Sequence, residues 1–600
     1  MLFLFCACNT ADGKDGDKKD TTVPTPGSDG VLSVCLSSEP ENLDPALNSS
    51  VDGATLISHL FSGLAKWELD DSGALSITAD CCEELSEGVV NDDGTVTYTY
   101  TLREGLKWSD GKSVTAADFV YSWQRAASPA LSGDYHNMFE VVSGYADMWS
   151  TKKEELRKDI NGLDCKAIDE RTLEVTIVSA LPYWNELLAY PTYFPVREDV
   201  VSNGKWATNP ETFICNGPYR ITEWKHGRLI VMEKNENYYG RDEITQDKIE
   251  FHLSDDQEIM LRKYEDGEWQ FIDNVPVKSI PTLKEERTDE FVVSGQIGTY
   301  YVNWNANKTL LPESSPLKGA EREEAEAQIR RALGLLIDRN HIVEQISQAG
   351  ELPASSFVAM GMTDSDGSQF YWNAGESEEH YGYYDVSKTA YEENYNSAVD
   401  TLKKYYSYNG EKFTDFPTVE YIYDNSDTHK KIGEYLQGLF GGLGIKLQLK
   451  SHERTEFFAC RQAGEYTLSR NGWIADYNDP ICFLDMWVSN SGNNDVGFGK
   501  EGHAEVSVYD LDLTPFGFDV KVEDGTWEDT YDVLIDTVKG CTDDNVRYSL
   551  MHIAEDMLME TGCIVPVYFY TDIYMIKENV EGFYSNPLGF KYFMYCSVRN

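Results

Sequence analysis

The sequence predicts a mixed α/β protein divided into two or three lobes, and three observations carry that prediction. A chain of 600 residues exceeds what one hydrophobic core usually covers. Segments of strand periodicity alternate with segments of helical spacing along its length, so helices and strands are interleaved rather than segregated. No internal repeat of fixed period is visible, which sets aside solenoids and propellers.

The elements follow in order. Val31–Leu36 (VLSVCL) reads as a first strand. Residues 95–102 (TVTYTYTL) alternate hydroxyl and larger side chains with period two, as a half-exposed strand does. The WSDG of 108–111 is a turn, and Thr115 with Asp118 three residues on forms a capping box for a helix over Ala116–Ala127. Residues 325–346 place Ile329, Ala332, Leu333, Leu336 and Ile337 at helical spacing, which predicts one helix. Ser426 can cap a helix to Phe440 that Gly441 and Gly442 stop, and IKLQL at 445–449 is a strand. IVPVYFY at 564–570 reads as a buried strand whose Pro566 marks an edge or a crossover. Two stretches, 364–398 and 490–528, are rich in Tyr, Glu, Ser and Gly or in Asn, Gly and Asp, and read as surface loops or lids.

Charge excludes one large class of function. With 51 Lys+Arg against 102 Asp+Glu, the formal net charge is −51. Such a surface repels nucleic acid and anionic headgroups, and no basic patch overrides it. The N-terminal MLFLFCACNT is too short to span a bilayer. It resembles the tail of a secretory signal (1–8), with Cys8 placed after Ala7 as the acylated cysteine of a lipoprotein is, although Phe5 is larger than usual. An incidental Cys in a mis-assigned start is the competing reading. Residues 9–30 carry Val23 as their one large aliphatic side chain and are otherwise mainly Asp, Lys, Thr, Gly and Pro, a composition suited to a disordered tether. Twelve scattered cysteines contain no CxxC pair, so disulfides and buried thiols both remain open.

The chemistry-bearing motifs mostly fail. An acidic, aromatic, exported chain suggests a glycoside hydrolase, for which Asp476 and Asp479 are the candidate pair, but acids three apart beside Pro480 suit an Asx-type turn better. GFGKEG at 497–502 fits G-x-G-x-x-G without the strand before it and helix after it that phosphate binding needs, and so reads as a flexible loop. HERTE at 452–456 lacks the second His of a zinc helix. No catalytic residue, cofactor or metal site is nominated. Asp476 itself, in RNGWIADYNDP (470–480), stays open between a catalytic acid, a ligand-capturing acid and a turn residue.

The same stretch is one of a series that runs in order from about residue 32 to the C-terminus. SSEPENLDPAL (37–47) and YTLREGLKWSDGKSVTAADFVYSWQRAASP (100–129) come first, then NGPYRITEW (216–224), GTYYVNWN (298–305), IRRALGLLIDRNHIV (329–343), YDNSDTHKKIG (423–433) and RNGWIADYNDP. In these segments the chain resembles the extracellular oligopeptide-binding proteins of bacterial ABC peptide importers, solute-binding protein family 5. ADYNDP and SDTHKK in particular separate the oligopeptide binders from relatives that bind dipeptides, nickel or sugars.

The resemblance implies a two-lobe periplasmic-binding-protein-like fold (type II, cluster C) with an extra domain inserted in the first lobe. Lobe I would comprise 31–60, 200–298 and 569–600, the insertion 61–199, and lobe III 299–568. It implies a non-enzymatic, monomeric, lipid-anchored receptor that holds an oligopeptide between its lobes and delivers it to the permease subunits of an ABC importer. Its place would be the outer face of the cytoplasmic membrane, or the periplasmic space of a Gram-negative source. By the same resemblance Asp476 pairs with the peptide α-ammonium, and Trp473 supplies main-chain groups and an apolar wall. Arg470, Arg461 and His429 meet the carboxylate of peptides of different lengths, and Tyr135 touches the peptide backbone. There are departures: Ile474 stands where some relatives carry a half-cystine, and Asn48–Ser50 lacks an acid found in others. A signalling peptide, an oligosaccharide or a metal chelate in the same fold, and a secreted hydrolase, are the rival functions.

Overall fold

The computed structural model describes residues 30–599 apart from 41, 71–74, 132, 151–161, 203, 376 and 505–507. The Cys8 lipidation site, the signal remnant and the tether up to residue 29 therefore lie outside the described residues.

One long mixed sheet organises the molecule. Its strands in chain order are β1 (Val31–Leu36), β2 (Tyr219–Lys225), β3 (Leu229–Lys234), β4 (Lys248–Leu253), β5 (Phe271–Ile272), β6 (Phe291–Trp304), β7 (Leu352–Pro353), β8 (Val419–Asp424), β9 (Leu447–His452), β10 (Leu468–Ile474) and β11 (Ile564–Ile576). Across the sheet the order is β9-β8-β10-β6-β11-β5-β1-β4-β3-β2, with β7 paired to β11. Strand β1 runs parallel to both neighbours and buries Leu32, Val34, Cys35 and Leu36 completely. A strand covered on both faces needs such a near-continuous apolar run.

The two longest strands, β6 and β11, are antiparallel and pass through the middle of the sheet, and their pairing breaks in a telling place. Phe291–Gly295 pair with Thr571–Met575, the register then shifts, and Thr299–Asn303 pair with Ile564–Phe569. Beyond the shift, β6 changes from alternating burial to full burial. The two halves of the sheet thus meet where both strands carry one irregularity. A separate four-stranded sheet (Val89–Val90, Val96–Thr101, Thr172–Ile177, Cys165–Ala167) and the hairpin of Ala65–Leu69 with Leu75–Ala79 sit between β1 and β2 in sequence.

Local expectations meet this architecture unevenly. The helix Ala116–Ala127 has the bounds its capping box implies, with Thr115 N–H donating to Asp118 Oδ2 at 2.8 Å. The single helix expected over 325–346 is instead an α-helix Ala320–Leu335, a turn, a short helix Arg339–His341 and a wider π-turn Ile342–Ser347. Asp338 caps the second piece by accepting from His341 N–H at 3.0 Å, while buried Arg339 donates to Gly334 O and Pro566 O. Both pieces bury apolar residues in one core, so spacing alone hid the break. The helix capped at Ser426 runs over Asp427–Gly442, and Ile445 N–H closes it on Phe440 O, which delays the next strand to Leu447.

Strand β11 is nearly twice as long as IVPVYFY suggested, because its second half is half-exposed. Pro566 is not on an outer strand. It pairs with Tyr301 beside a second register irregularity, where a missing N–H is tolerated. Neither of the stretches 364–398 and 490–528 is a simple loop. The 364–398 segment holds a 3₁₀ turn Phe370–Asn373 and the start of the helix Tyr391–Leu402, and Phe370 stacks on His552 at 3.9 Å. The 490–528 segment contains the ribbon Tyr509–Asp512 with Lys521–Gly525, and its Phe498 stacks on buried Trp527 at 4.2 Å. The GFGKEG turn is held by Asn494, whose side chain accepts from Gly497 and Phe498 N–H and donates to Phe498 O. It is an ordered turn, not a phosphate cradle. The ten cysteines of the described residues are free thiols, all but Cys460 buried.

Candidate functional site

Strand β10 and the loop after it carry the site. The strand pairs with β6 along Leu468–Ile474, but with β8 only at Leu468 and Ser469. Residues 471–474 therefore have one edge without a strand partner among the described residues. Gly472 N–H donates to the Asn471 side chain at 2.8 Å rather than to a neighbouring strand. Gly472 has no room for a side chain, since a Cβ would lie 2.1 Å from the Tyr570 hydroxyl. An edge with its main chain accessible is what an added peptide strand requires.

At the end of this edge the chain turns through Ala475 into Asp476. Its carboxylate faces two tyrosines brought from the 133–193 region. Tyr190 donates to Oδ1 at 3.3 Å and Tyr135 also hydrogen-bonds to the carboxyl group, with the two rings edge-to-face at 5.5 Å. No Lys, Arg or His among the described residues pairs with it. Burial pushes the Asp476 carboxyl up to about 7 against those two hydrogen bonds, with Asp485 adding repulsion. The acid is thus enclosed, hydrogen-bonded and short of a cation.

Three residues on, Asp479 is the opposite case. It accepts Ile481 N–H at 3.1 Å, the Asx turn its spacing suggests, and takes a two-pronged bond from Arg547 at 2.7 and 2.8 Å. Both partners are almost fully buried. With Asp479 engaged in this way the pair proposed for glycoside cleavage is gone, and Asp479 is a structural acid.

Arg470 lies at the other end of the open edge and forms an ion pair with Asp424 at the end of β8. His429, on the following helix, bonds through Nδ1 to the same carboxylate at 2.5 Å. Burial acts against the charge on Asp424, but His429 and Arg470 overcome it and hold the carboxyl well below its ordinary range. His429 is lowered by burial and by the Arg470 charge, with Asp424 opposing. Arg461 joins a separate group: its guanidinium pairs with Asp495 at 2.7 Å and donates to Asn471 at 2.7 Å. Strand alternation puts Arg470 and Gly472 on one face of β10 and Asn471 and Trp473 on the other. The half-buried Trp473 has an indole N–H without a partner among the described residues. The structure therefore gathers Asp476 with Tyr135, and Arg470 with His429; Arg461, from the helix Arg454–Gln462, shares the Phe457 ring with Arg470, and Trp473 stands on the opposite face of β10. Each cation expected to be free for a carboxylate is already paired with an acid.

Sequence reasoning missed Tyr190, Glu186 and Tyr183. Glu186 accepts Asn478 N–H at 2.7 Å and Tyr183 stacks on Tyr477 at 4.4 Å, while Lys539 bridges to Glu140 at 2.8 Å. The first two contacts tie the 133–193 region to the loop after β10, and the third ties it to the helix Val533–Gly540. Nothing local in WNELLAYPTY distinguishes them from core aromatics, because their role depends on a loop nearly three hundred residues away.

Two halves of one sheet meeting at a shared irregularity, with an unpaired strand edge ending in an enclosed acid, are the architecture of a two-lobe binding protein. The chain belongs to the bacterial extracellular solute-binding proteins, family 5, whose sequence profile matches residues 82–495. Members of this family are binding proteins, not enzymes. The dipeptide-binding protein DppE of Bacillus subtilis is 28% identical over 594 residues, covering 98% of this chain and 95% of the relative. The periplasmic oligopeptide-binding protein OppA of Escherichia coli is 28% identical over 552 residues, 91% of this chain and 88% of its own. Among solved structures, the OppA of Burkholderia pseudomallei superposes with a TM-score of 0.74 at 25% identity, covering 96% of this chain and all of that one. Among the described residues no helix is long and apolar enough to cross a membrane.

Proposed function

We propose that the protein captures oligopeptides by their free amino terminus and presents them to an ABC importer, held outside the cytoplasmic membrane by a lipid on Cys8. One observation carries the ligand assignment: Asp476, enclosed and without a cationic partner, stands at the end of an unpaired strand edge. An α-ammonium would supply the missing charge, and the peptide main chain would add to β10, so affinity would rest on features every peptide shares. The names of the relatives above, dipeptide- and oligopeptide-binding, support the same ligand class. The lobe boundaries proposed are 31–60 with 200–298 and 569–600, an insertion at 61–199, and 299–568, with the register shift between Gly295 and Thr299 as the support for the division of β6.

Calorimetric titration tests this with pooled peptides of three to six residues, free and N-acetylated. Free peptides are expected to bind and acetylated ones to lose most of their affinity. Equal binding of both would remove the role given to Asp476. Labelling of whole cells with a radioactive fatty acid, native against Cys8→Ala, tests the anchor.

A further inference from the structure

Resting on the reading that Asp476 meets an α-ammonium, we propose that Cys482 is a positioning residue for that acid. Its sulfur holds the turn after β10 so that the Asp476 carboxylate stays aimed at the ligand, and it does so without supplying charge.

The main chain of this turn is satisfied piece by piece. Ala475 N–H donates to Ile297 O at 2.8 Å, Asn478 N–H to Glu186 Oε2 at 2.7 Å and Cys482 N–H to Asp479 O at 3.0 Å. The N–H of Asp476 lies among these and donates to the Cys482 sulfur at 3.1 Å, its one acceptor among the described residues. A partly buried main-chain donor that loses its acceptor is unfavourable. Without the sulfur, that N–H could find another partner only by a change of backbone angles, and those angles set where the carboxylate points.

The sulfur is itself a fixed point. It sits in the short helix Ile481–Leu484, all four residues of which are buried, and Tyr531 donates to Leu484 O at 2.9 Å. Burial pushes the Cys482 thiol far above its ordinary range, with the Asp476 charge adding to the rise, so the thiol stays neutral. It therefore accepts the N–H and leaves the carboxylate, bonded to Tyr190 and Tyr135, unmatched in charge. An acid at this position would accept the same N–H but repel Asp476; a neutral acceptor does the first without the second.

As core filling alone, Cys482 would support the fold without regard to the amino terminus of the ligand. As a positioning residue it sets the fraction of molecules whose carboxylate is aimed, and apparent affinity scales with that fraction. Only ligands with a free ammonium would feel the difference.

The test uses the full chain, freed of ligand by unfolding and refolding, with Cys482→Ala and Cys482→Ser beside the native protein. Pooled peptides of three to six residues, free and N-acetylated, are titrated by calorimetry. Cys482→Ala is expected to weaken free peptides about tenfold or more, in line with one stranded hydrogen bond, and acetylated ones by less than about threefold. Cys482→Ser, whose hydroxyl accepts the same N–H, is expected to bind free peptides within about threefold of native. An equal loss for both forms in Cys482→Ala overturns the proposal, as does a serine variant no better than the alanine one. If Cys482→Ala does not fold, Cys482→Thr and Cys482→Val, alike in shape and differing in the hydroxyl, take its place; equal affinities of the two for free peptides overturn it. A native protein that does not distinguish free from acetylated peptides sinks the Asp476 reading and this proposal with it. A native protein that distinguishes them, beside a Cys482→Ala variant that does so equally well, sinks this proposal alone.

Discussion

The two ends of strand β10 hold enclosed charge under opposite conditions. At one end Arg470, Asp424 and His429 satisfy one another within the protein. At the other, Asp476 has two hydroxyl partners and, among the described residues, no cation. Asp479, three residues beyond, sharpens the contrast, because it has the bidentate guanidinium that Asp476 lacks. The difference is that the charge of Asp479 is met within the protein and, among the described residues, that of Asp476 is not. Residue type and burial alone do not tell the two apart.

The largest effect should come from breaking the matched pair. Replacing Arg547 by Met strands Asp479 in the core, and a loss of about 3–5 kcal/mol of stability is expected by urea denaturation. Peptides that still bind should keep their preference for a free amino terminus, since Asp476 is untouched. If that preference disappears, the two acids are not independent and the comparison fails.

Next comes the unmatched acid. Asp476→Asn should weaken free peptides by ~2–5 kcal/mol, roughly 30- to 3000-fold, by calorimetric titration. N-acetylated peptides should be little affected. A uniform loss across both forms would instead point to a disturbed cleft.

The pH dependence follows from the carboxyl raised to about 7 in the ligand-free protein. Below that pH the acid is neutral and must lose its proton to pair with an ammonium, so affinity should fall about tenfold per pH unit below 7 and level off above. Titration in buffers of different ionisation enthalpy should show a proton released on binding at pH 6. Absence of that release would place the acid in water, not in an enclosed site.

The smallest effect is on the empty protein. A carboxyl whose folded value is raised favours folding only while it stays protonated. Its contribution is full below the unfolded value near 3.9 and is lost as pH rises to about 7. Asp476→Asn should therefore stabilise the ligand-free chain by an amount that grows between pH 4 and 7 and then stays constant, at most about 4 kcal/mol. Thermal melts of native and variant across that range would show it. A stabilising effect paired with loss of binding is the signature of a residue kept for function.

Much of the fold was legible where structure is local. The capping box of Thr115 and Asp118 set the start of its helix, and the unbroken apolar run VLSVCL marked a central strand. The break at Asp338 was hidden because both helical pieces face one core, and the second half of β11 because it is half-exposed. Of the site, Asp476 and Tyr135 do meet, and Arg470 meets His429 through an acid, Asp424, that the sequence reading had not considered. Arg461 lies with Arg470 against the Phe457 ring while Trp473 lies on the other face of β10, and Tyr190 was not anticipated.

By itself the sequence determined the alternation of strands and helices, the acidic surface that excludes nucleic acid, and the order of segments that marks the family. These follow from spacing, capping and net charge, which are properties of neighbouring residues or of simple composition. Only the tertiary structure decided which acids and bases are spent on each other. That pairing joins residues as far apart as Asp424 and Arg470, Asp479 and Arg547, or Tyr190 and Asp476, and a Coulomb energy depends on distance and enclosure, neither of which is written in the spacing of a chain.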